Sequence, residues 1–151
     1  EEFYWSGTRD PSGYLAIPAA IDFMNLIGLN KFRMISHQLA KVVRHQLESL
    51  TGETAWVPDD REYYGCMTEV PLPEGDWSEL QNWLWQKHGI EVPIIHFKGH
   101  WFIRVSCHLH TLPEHFEQLF AALAEAFERS SLSLIVEIRP TTIVSNATVT
   151  A

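Results

Sequence analysis

Between residues 31 and 50 the side chains of Phe32, Ile35, Leu39, Val42, Val43, Leu47 and Leu50, with Gln46 among them, recur at steps of mostly three and four. No other stretch restricts the fold so tightly. That spacing puts the apolar groups on one stripe of an α-helix, and a stripe that wide has to be buried against a second layer. Strand-like segments further along the chain supply that layer. Thr51-Gly52 ends the helix, and a polar, proline-containing loop over residues 53–62 leads to a strand over residues 63–72 that Pro71 and Pro73 close. Residues 90–97 and 101–108 are rich in β-branched and aromatic residues, with Lys98-Gly99 between them as a tight hairpin turn.

Helices are expected around these strands. Asp10-Pro11 opens a short helix over residues 10–17. Pro18 bends the chain into a second piece over residues 18–27, and Gly28 stops it. Asp76-Trp77-Ser78-Glu79 and Thr111-Leu112-Pro113-Glu114 both have the spacing of a capping box. The first leads into a helix with Leu80, Trp83 and Leu84 on one face, the second into one with Phe116, Leu119, Phe120, Leu123 and Phe127 on one face. Residues 132–138 are apolar enough for a further strand. The order is helix, long helix, strand, helix, strand, strand, helix. It predicts an α/β chain of the α+β kind, a small antiparallel or mixed sheet covered by helices.

Charge and length narrow the function. The 151 residues suit one domain with an ample core, at 46% hydrophobic. Nineteen acidic against eleven basic residues leave a net charge of -8, and the basic ones are scattered, so nucleic acid is not expected as a partner. No apolar run reaches the roughly 20 residues that cross a bilayer, no signal segment is visible, and a cytoplasmic address is the expectation. Cys66 and Cys107 lie in strand-like stretches and read as buried thiols rather than a disulfide framework. Eight histidines raise the possibility of a metal. His108 and His110 share one strand face, and His96 and His100 flank the hairpin turn, but no acidic or thiol ligand completes a spacing, so none is expected. The chain opens on Glu1 within an aromatic, motif-like stretch and reads as a fragment of something longer.

The run Trp5-Ser6-Gly7-Thr8-Arg9-Asp10-Pro11-Ser12-Gly13-Tyr14-Leu15-Ala16-Ile17-Pro18 and its continuation to Phe23, together with His88-Gly89-Ile90-Glu91-Val92-Pro93 and Ile103-Arg104-Val105-Ser106, resembles class V aminotransferases of the isopenicillin N epimerase-like branch. The resemblance covers about residues 3–128. It implies the C-terminal small domain of a fold-type I pyridoxal-phosphate protein. Residues 1–28 would be an interdomain segment carrying a cofactor-site motif, residues 29–130 the small domain, and residues 131–151 an extra strand or a tail.

The resemblance also implies roles. Gly7 and Thr8 match a glycine-threonine pair near the cofactor phosphate of a neighbouring subunit; backbone amides and a hydroxyl before a helix start suit an anion. Arg104 matches the arginine whose planar fork grips the α-carboxylate of an amino-acid substrate. From its place in an apolar strand alone, an internal ion pair would serve as well. Where many relatives carry Tyr-Asn after the arginine strand, this chain has His110-Thr111, which leaves the substrate open. The Schiff-base lysine is expected upstream, because Lys31, Lys41, Lys87 and Lys98 match no such motif; the piece alone is then inactive. A missing N-terminal large domain and a homodimer are the partners implied. Two alternatives stay open. One is a cysteine desulfurase or C–S lyase relative, although residues 91–103 hold no cysteine for a mobile catalytic loop. The other is a stand-alone ligand-binding or assembly module.

Overall fold

The computed structural model describes Gly7 and residues 10–137, with side chains as far as residue 130. Its elements are α1 (Ser12–Leu15), α2 (Ile17–Ile27), α3 (Leu29–Thr51), β1 (Met67–Pro71), α4 (Leu80–His88), β2 (Ile94–Phe97), β3 (His100–Ser106) and α5 (Pro113–Glu137). The three strands form one antiparallel sheet in the order β1-β3-β2, so the expected choice between antiparallel and mixed resolves as antiparallel. The chain is an α+β arrangement with helices on one face of the sheet.

Strand parity defines the two faces. In β3, Ile103 and Val105 are buried, as are their partners Val70 and Thr68 across β1. Arg104 and Ser106 alternate to the other side and are exposed. The inner face packs against α3, and α5 packs against α3 and α4, closing a core that includes Leu47, Leu84 and Leu123. Burying that many aliphatic side chains stabilises the fold by about 1.5–3 kcal/mol for each one fully removed from water.

The hairpin between β2 and β3 has the two-residue loop that its sequence predicts. Phe97 pairs with His100, and Lys98 and Gly99 both hold positive φ, at 49° and 81°. That pair of angles belongs to a type I′ turn, whose twist matches the strands it joins.

Several expectations shift. The α3 periodicity is present, but its buried positions are Ser36, Ala40, Val43, Arg44, Leu47 and Thr51, while Ile35 and Val42 are 39% and 57% exposed. The stripe is wide enough to dock on either side, and the small Ser36 and Ala40 let the sheet come closest. β1 is shorter than residues 63–72 because a turn bonds the Tyr63 amide to the Asp60 carbonyl, and Tyr64 donates its hydroxyl to Asp59. Neither capping box forms as spaced. Asp76 accepts from the Ser78 amide in a turn and α4 begins only at Leu80. At α5, Thr111 accepts from the His108 amide, and His115 Nδ1 accepts from the Leu112 amide just ahead of the helix, the reciprocal bond a Glu usually makes. Where a strand was expected over residues 132–138, α5 continues to Glu137. An apolar run of that length suits either state, and extending an existing helix needs no new nucleus. Residues 138–151 lie outside the described residues.

The loop over residues 52–66 is tied to α3 by charge. Asp59 accepts from Lys41 and His45, each at 2.9 Å, besides Tyr64. The Tyr64 hydroxyl and then Lys41 hold the Asp59 carboxyl well below the usual carboxylate range. Partial burial, and next the bond to Asp59, push the Tyr64 phenol up to about 12. A lowered carboxylate pKa contributes stability that is fully present above the unfolded value near 4 and is lost as pH falls through the folded value. Asp59→Asn is therefore expected to cost about 1–2 kcal/mol at neutral pH. The gap to the parent chain should narrow below about pH 4, which denaturant melts across pH will read.

Candidate functional site

A cleft of about 350 Å³ opens where three segments meet: the end of β3, the extended segment over residues 89–93, and the start of α5. Arg104 and Ser106 line it from β3, Glu91 from the extended segment, and His110, Thr111 and His115 from the turn and first turn of α5. Each is there for a local reason. Pro93 has no amide to donate, so β2 starts one residue later, yet its carbonyl still accepts from the Arg104 amide at 3.1 Å and holds the segment beside β3. The turn over residues 108–111 is fixed by two bonds, Thr111 amide to His108 carbonyl at 3.0 Å and His108 amide to Thr111 hydroxyl at 3.3 Å.

Two arginines of the chain are opposite in kind. Arg44 is 4% exposed and fully engaged: it bonds Glu48 at 3.0 Å, the Val57 carbonyl at 2.7 Å and the Pro58 carbonyl at 3.4 Å. It is structural. Arg104 is exposed, and among the described residues its guanidinium has no ion pair or hydrogen bond. Among the described residues, then, the internal ion pair left open by the sequence is not made. Glu69, its cross-strand partner, is exposed on the same outer face and does not bridge to it. A planar five-donor cation with no acceptor among the described residues, at the edge of a cleft with neighbouring imidazoles, can take a carboxylate through two parallel bonds.

Of the other expected site residues, only Gly7 falls among the described residues. Gly7 holds φ +78°, a backbone state that favours glycine, and a Cβ there would meet no atom within 4 Å. It does not line the cleft, and Thr8 lies outside the described residues. None of the four lysines lines the cleft: Lys41 pairs with Asp59, Lys87 with Glu125, Lys98 sits in the hairpin turn, and Lys31 is exposed on α3. His108 and His110 do stack, with ring centroids 4.8 Å apart, but no group of three or more potential metal ligands converges among the described residues. Cys107 is fully buried, and that burial pushes its thiol up to about 12, the reverse of what the substrate-attacking thiol of a desulfurase needs.

Sequence reasoning singled out Arg104 and His110 but missed Ser106, Glu91 and His115. Ser106 was legible by parity, two residues beyond Arg104 in the same strand. Glu91 and His115 reach the cleft only through the packing of separate segments.

No single helix among the described residues is long and apolar enough to cross a membrane, and the Ser12–Ile27 segment meets α3 at 75°. That segment buries nothing: Tyr14, Leu15, Ile21, Phe23 and Leu26 are 55–86% exposed.

With Arg44 a strut and Arg104 without a partner among the described residues, their substitutions diverge. Arg104→Gln should leave folding stability within about 0.5 kcal/mol of the parent. Arg44→Met, which strands Glu48 and two carbonyls, should cost about 3 kcal/mol or more by chemical denaturation.

Comparison with known proteins matches the profile of the family "Aminotransferase class-V" to residues 2–124. The chain is 34% identical over 120 residues to an isopenicillin N epimerase of Amycolatopsis lactamdurans, across 79% of this chain and 30% of that protein. To an isopenicillin N epimerase of Streptomyces clavuligerus it is 33% identical over 118 residues, across 78% of this chain and 30% of the relative. A probable L-cysteine desulfhydrase, chloroplastic, of Arabidopsis thaliana is 27% identical over 154 residues, across 87% and 32%. The chain thus spans about a third of the length of the curated relatives it matches.

Proposed function

The chain belongs to the aminotransferase class-V family, whose members are generally pyridoxal-phosphate enzymes, and from that premise we propose that it is the C-terminal domain of an amino-acid enzyme of epimerase or aminotransferase type. The observation that carries the proposal is Arg104, a guanidinium with no partner among the described residues, at the mouth of a cleft just large enough for a small polar ligand. Its role is to bind and orient the α-carboxylate of the substrate. His110, Thr111 and Ser106 are the groups beside it that can meet the rest of the ligand.

The described residues fit the substrate end of such a site and not the anchoring of the cofactor. Gly7 has the open backbone that a phosphate contact needs, and Thr8 beside it is the second contact proposed. With no lysine in the cleft, the covalent attachment belongs to another part of the protein, and this chain alone is inactive. Pyridoxal phosphate, when bound, supplies the electron sink for chemistry at Cα. This chain's own work is positional: holding a carboxylate fixes which bond at Cα faces the ring.

A large domain and a second subunit are the proposed partners. The bare apolar face of α1 and α2 supports them, since contiguous apolar surface of this kind marks an interface. Leu15→Ser with Leu26→Ser is expected to reduce self-association of the isolated chain by light scattering while leaving its helix content unchanged. An unaltered scattering profile counts against this face as an interface.

A carbon–sulfur lyase is the second reading, favoured by the likeness to a probable cysteine desulfhydrase. The desulfurase variant is disfavoured by the closed β2–β3 hairpin and the buried Cys107. In the full-length enzyme loaded with pyridoxal phosphate, Arg104→Gln should raise the KM for the amino acid roughly 100-fold, the loss of a charge-assisted bidentate pair. Chiral chromatography, keto-acid assay and sulfide release on the same enzyme separate epimerase, aminotransferase and lyase. An unchanged KM in the Arg104→Gln enzyme rejects the carboxylate role and leaves a stand-alone binding module as the better account.

A further inference from the structure

The ladder between β1 and β3 continues one step past their ends. Met67 faces Ser106 and Thr68 faces Val105, and the Cys107 amide donates to the Cys66 carbonyl at 2.7 Å, so Cys66 faces Cys107. Both share the parity of Thr68, Val70, Ile103 and Val105, the inner face of the sheet. Directly opposed residues joined by such a bond have Cα atoms about 5.5 Å apart, inside the roughly 4.4–6.8 Å that a disulfide spans. Cys107 is fully buried, Cys66 is partly exposed, and both are free. Carboxylate binding at Arg104 uses neither.

We propose that Cys66 and Cys107 are a redox pair that closes to a cross-strand disulfide when the chain meets a small-molecule disulfide of the glutathione class. The accessible Cys66 thiolate attacks one sulfur of the oxidant. The oxidant's S–S bond breaks, one small thiolate leaves and takes a proton from water, and Cys66 carries the other half as a mixed disulfide. Cys107 then gives up its proton and attacks the Cys66 sulfur, releasing the second small thiol. Two cysteines are oxidised and one small disulfide is reduced to two thiols. Burial pushes the Cys107 thiol up to about 12, so the closing step quickens as pH rises.

The position gives the bond a consequence. It would staple the end of the loop over residues 52–66 to the residue just before the turn over residues 108–111, which carries His110 and Thr111 into the cleft. Oxidation then stiffens one wall of the site without touching Arg104.

The test incubates the folded chain with glutathione disulfide, caps remaining thiols with N-ethylmaleimide in denaturant, and reads intact mass and linked peptides. The expected product is a monomer lighter by about 2 Da, the two thiol hydrogens, with neither glutathione nor maleimide added and with Cys66 joined to Cys107. Cys107→Ala should stop at one glutathione on Cys66. Cys66→Ser, a change at a partly exposed position that the fold should tolerate, should show neither adduct nor mass loss. The pair is refuted by a parent chain that stops at a stable mixed disulfide, that keeps both thiols for the maleimide, or that loses about 2 Da only when denaturant is present during oxidation.

Discussion

Everything in this fold rests on one stripe of α3 lying against the inner face of β1 and β3. Ala40, Val43 and Leu47 are at most 1% exposed there, and they meet Val70, Ile103 and Val105 from the sheet. A three-stranded sheet of short strands cannot hold itself together in water, and the helix supplies the missing half of its core. Because Ser36 and Ala40 are small, the helix sits close, and Arg44 is carried into the interior, where the Val57 and Pro58 carbonyls and Glu48 satisfy it. The helix therefore fixes the sheet and, through Arg44 and the Asp59 cluster, the loop that precedes β1.

With the inner face committed, strand alternation decides the chemistry of the outer one. Phe102 is covered by Trp56, with ring centroids 4.7 Å apart, so one end of the outer face is closed. At the other end Arg104 and Ser106 remain open beside the start of α5. A charge in the middle strand of a small sheet is tolerable only because its parity sends it outward. The same alternation puts Cys107 inward, opposite Cys66. The exposed guanidinium and a thiol pair close by in sequence thus belong to different faces and are independent of each other chemically, although one turn connects them.

The bare apolar surface of α1 and α2 has a different cause from the cleft. It comes from a segment whose residues are mostly apolar but which packs chiefly on α3 among the described elements. A chain that spans about a third of its relatives' length can carry such a face without contradiction, since the layer that would bury it need not be its own.

By itself the sequence determined the order of the elements, the α+β class, the two-residue hairpin, Arg104 as a site candidate and the family. Each is a matter of local spacing or of long matched motifs, which survive without knowledge of what packs against them. Only the tertiary structure decided which side of the α3 stripe is buried, which arginine is a strut and which has no partner among the described residues, where β1 begins, and that the stretch after Ser130 extends a helix to Glu137. Those outcomes depend on partners far away in sequence: Arg44 meets carbonyls thirteen and fourteen residues on, and Glu91 and His115 share a cleft across twenty-four positions. Periodicity states that a face exists. Which neighbour it meets is settled by close packing and by the need of every buried polar group for a bond.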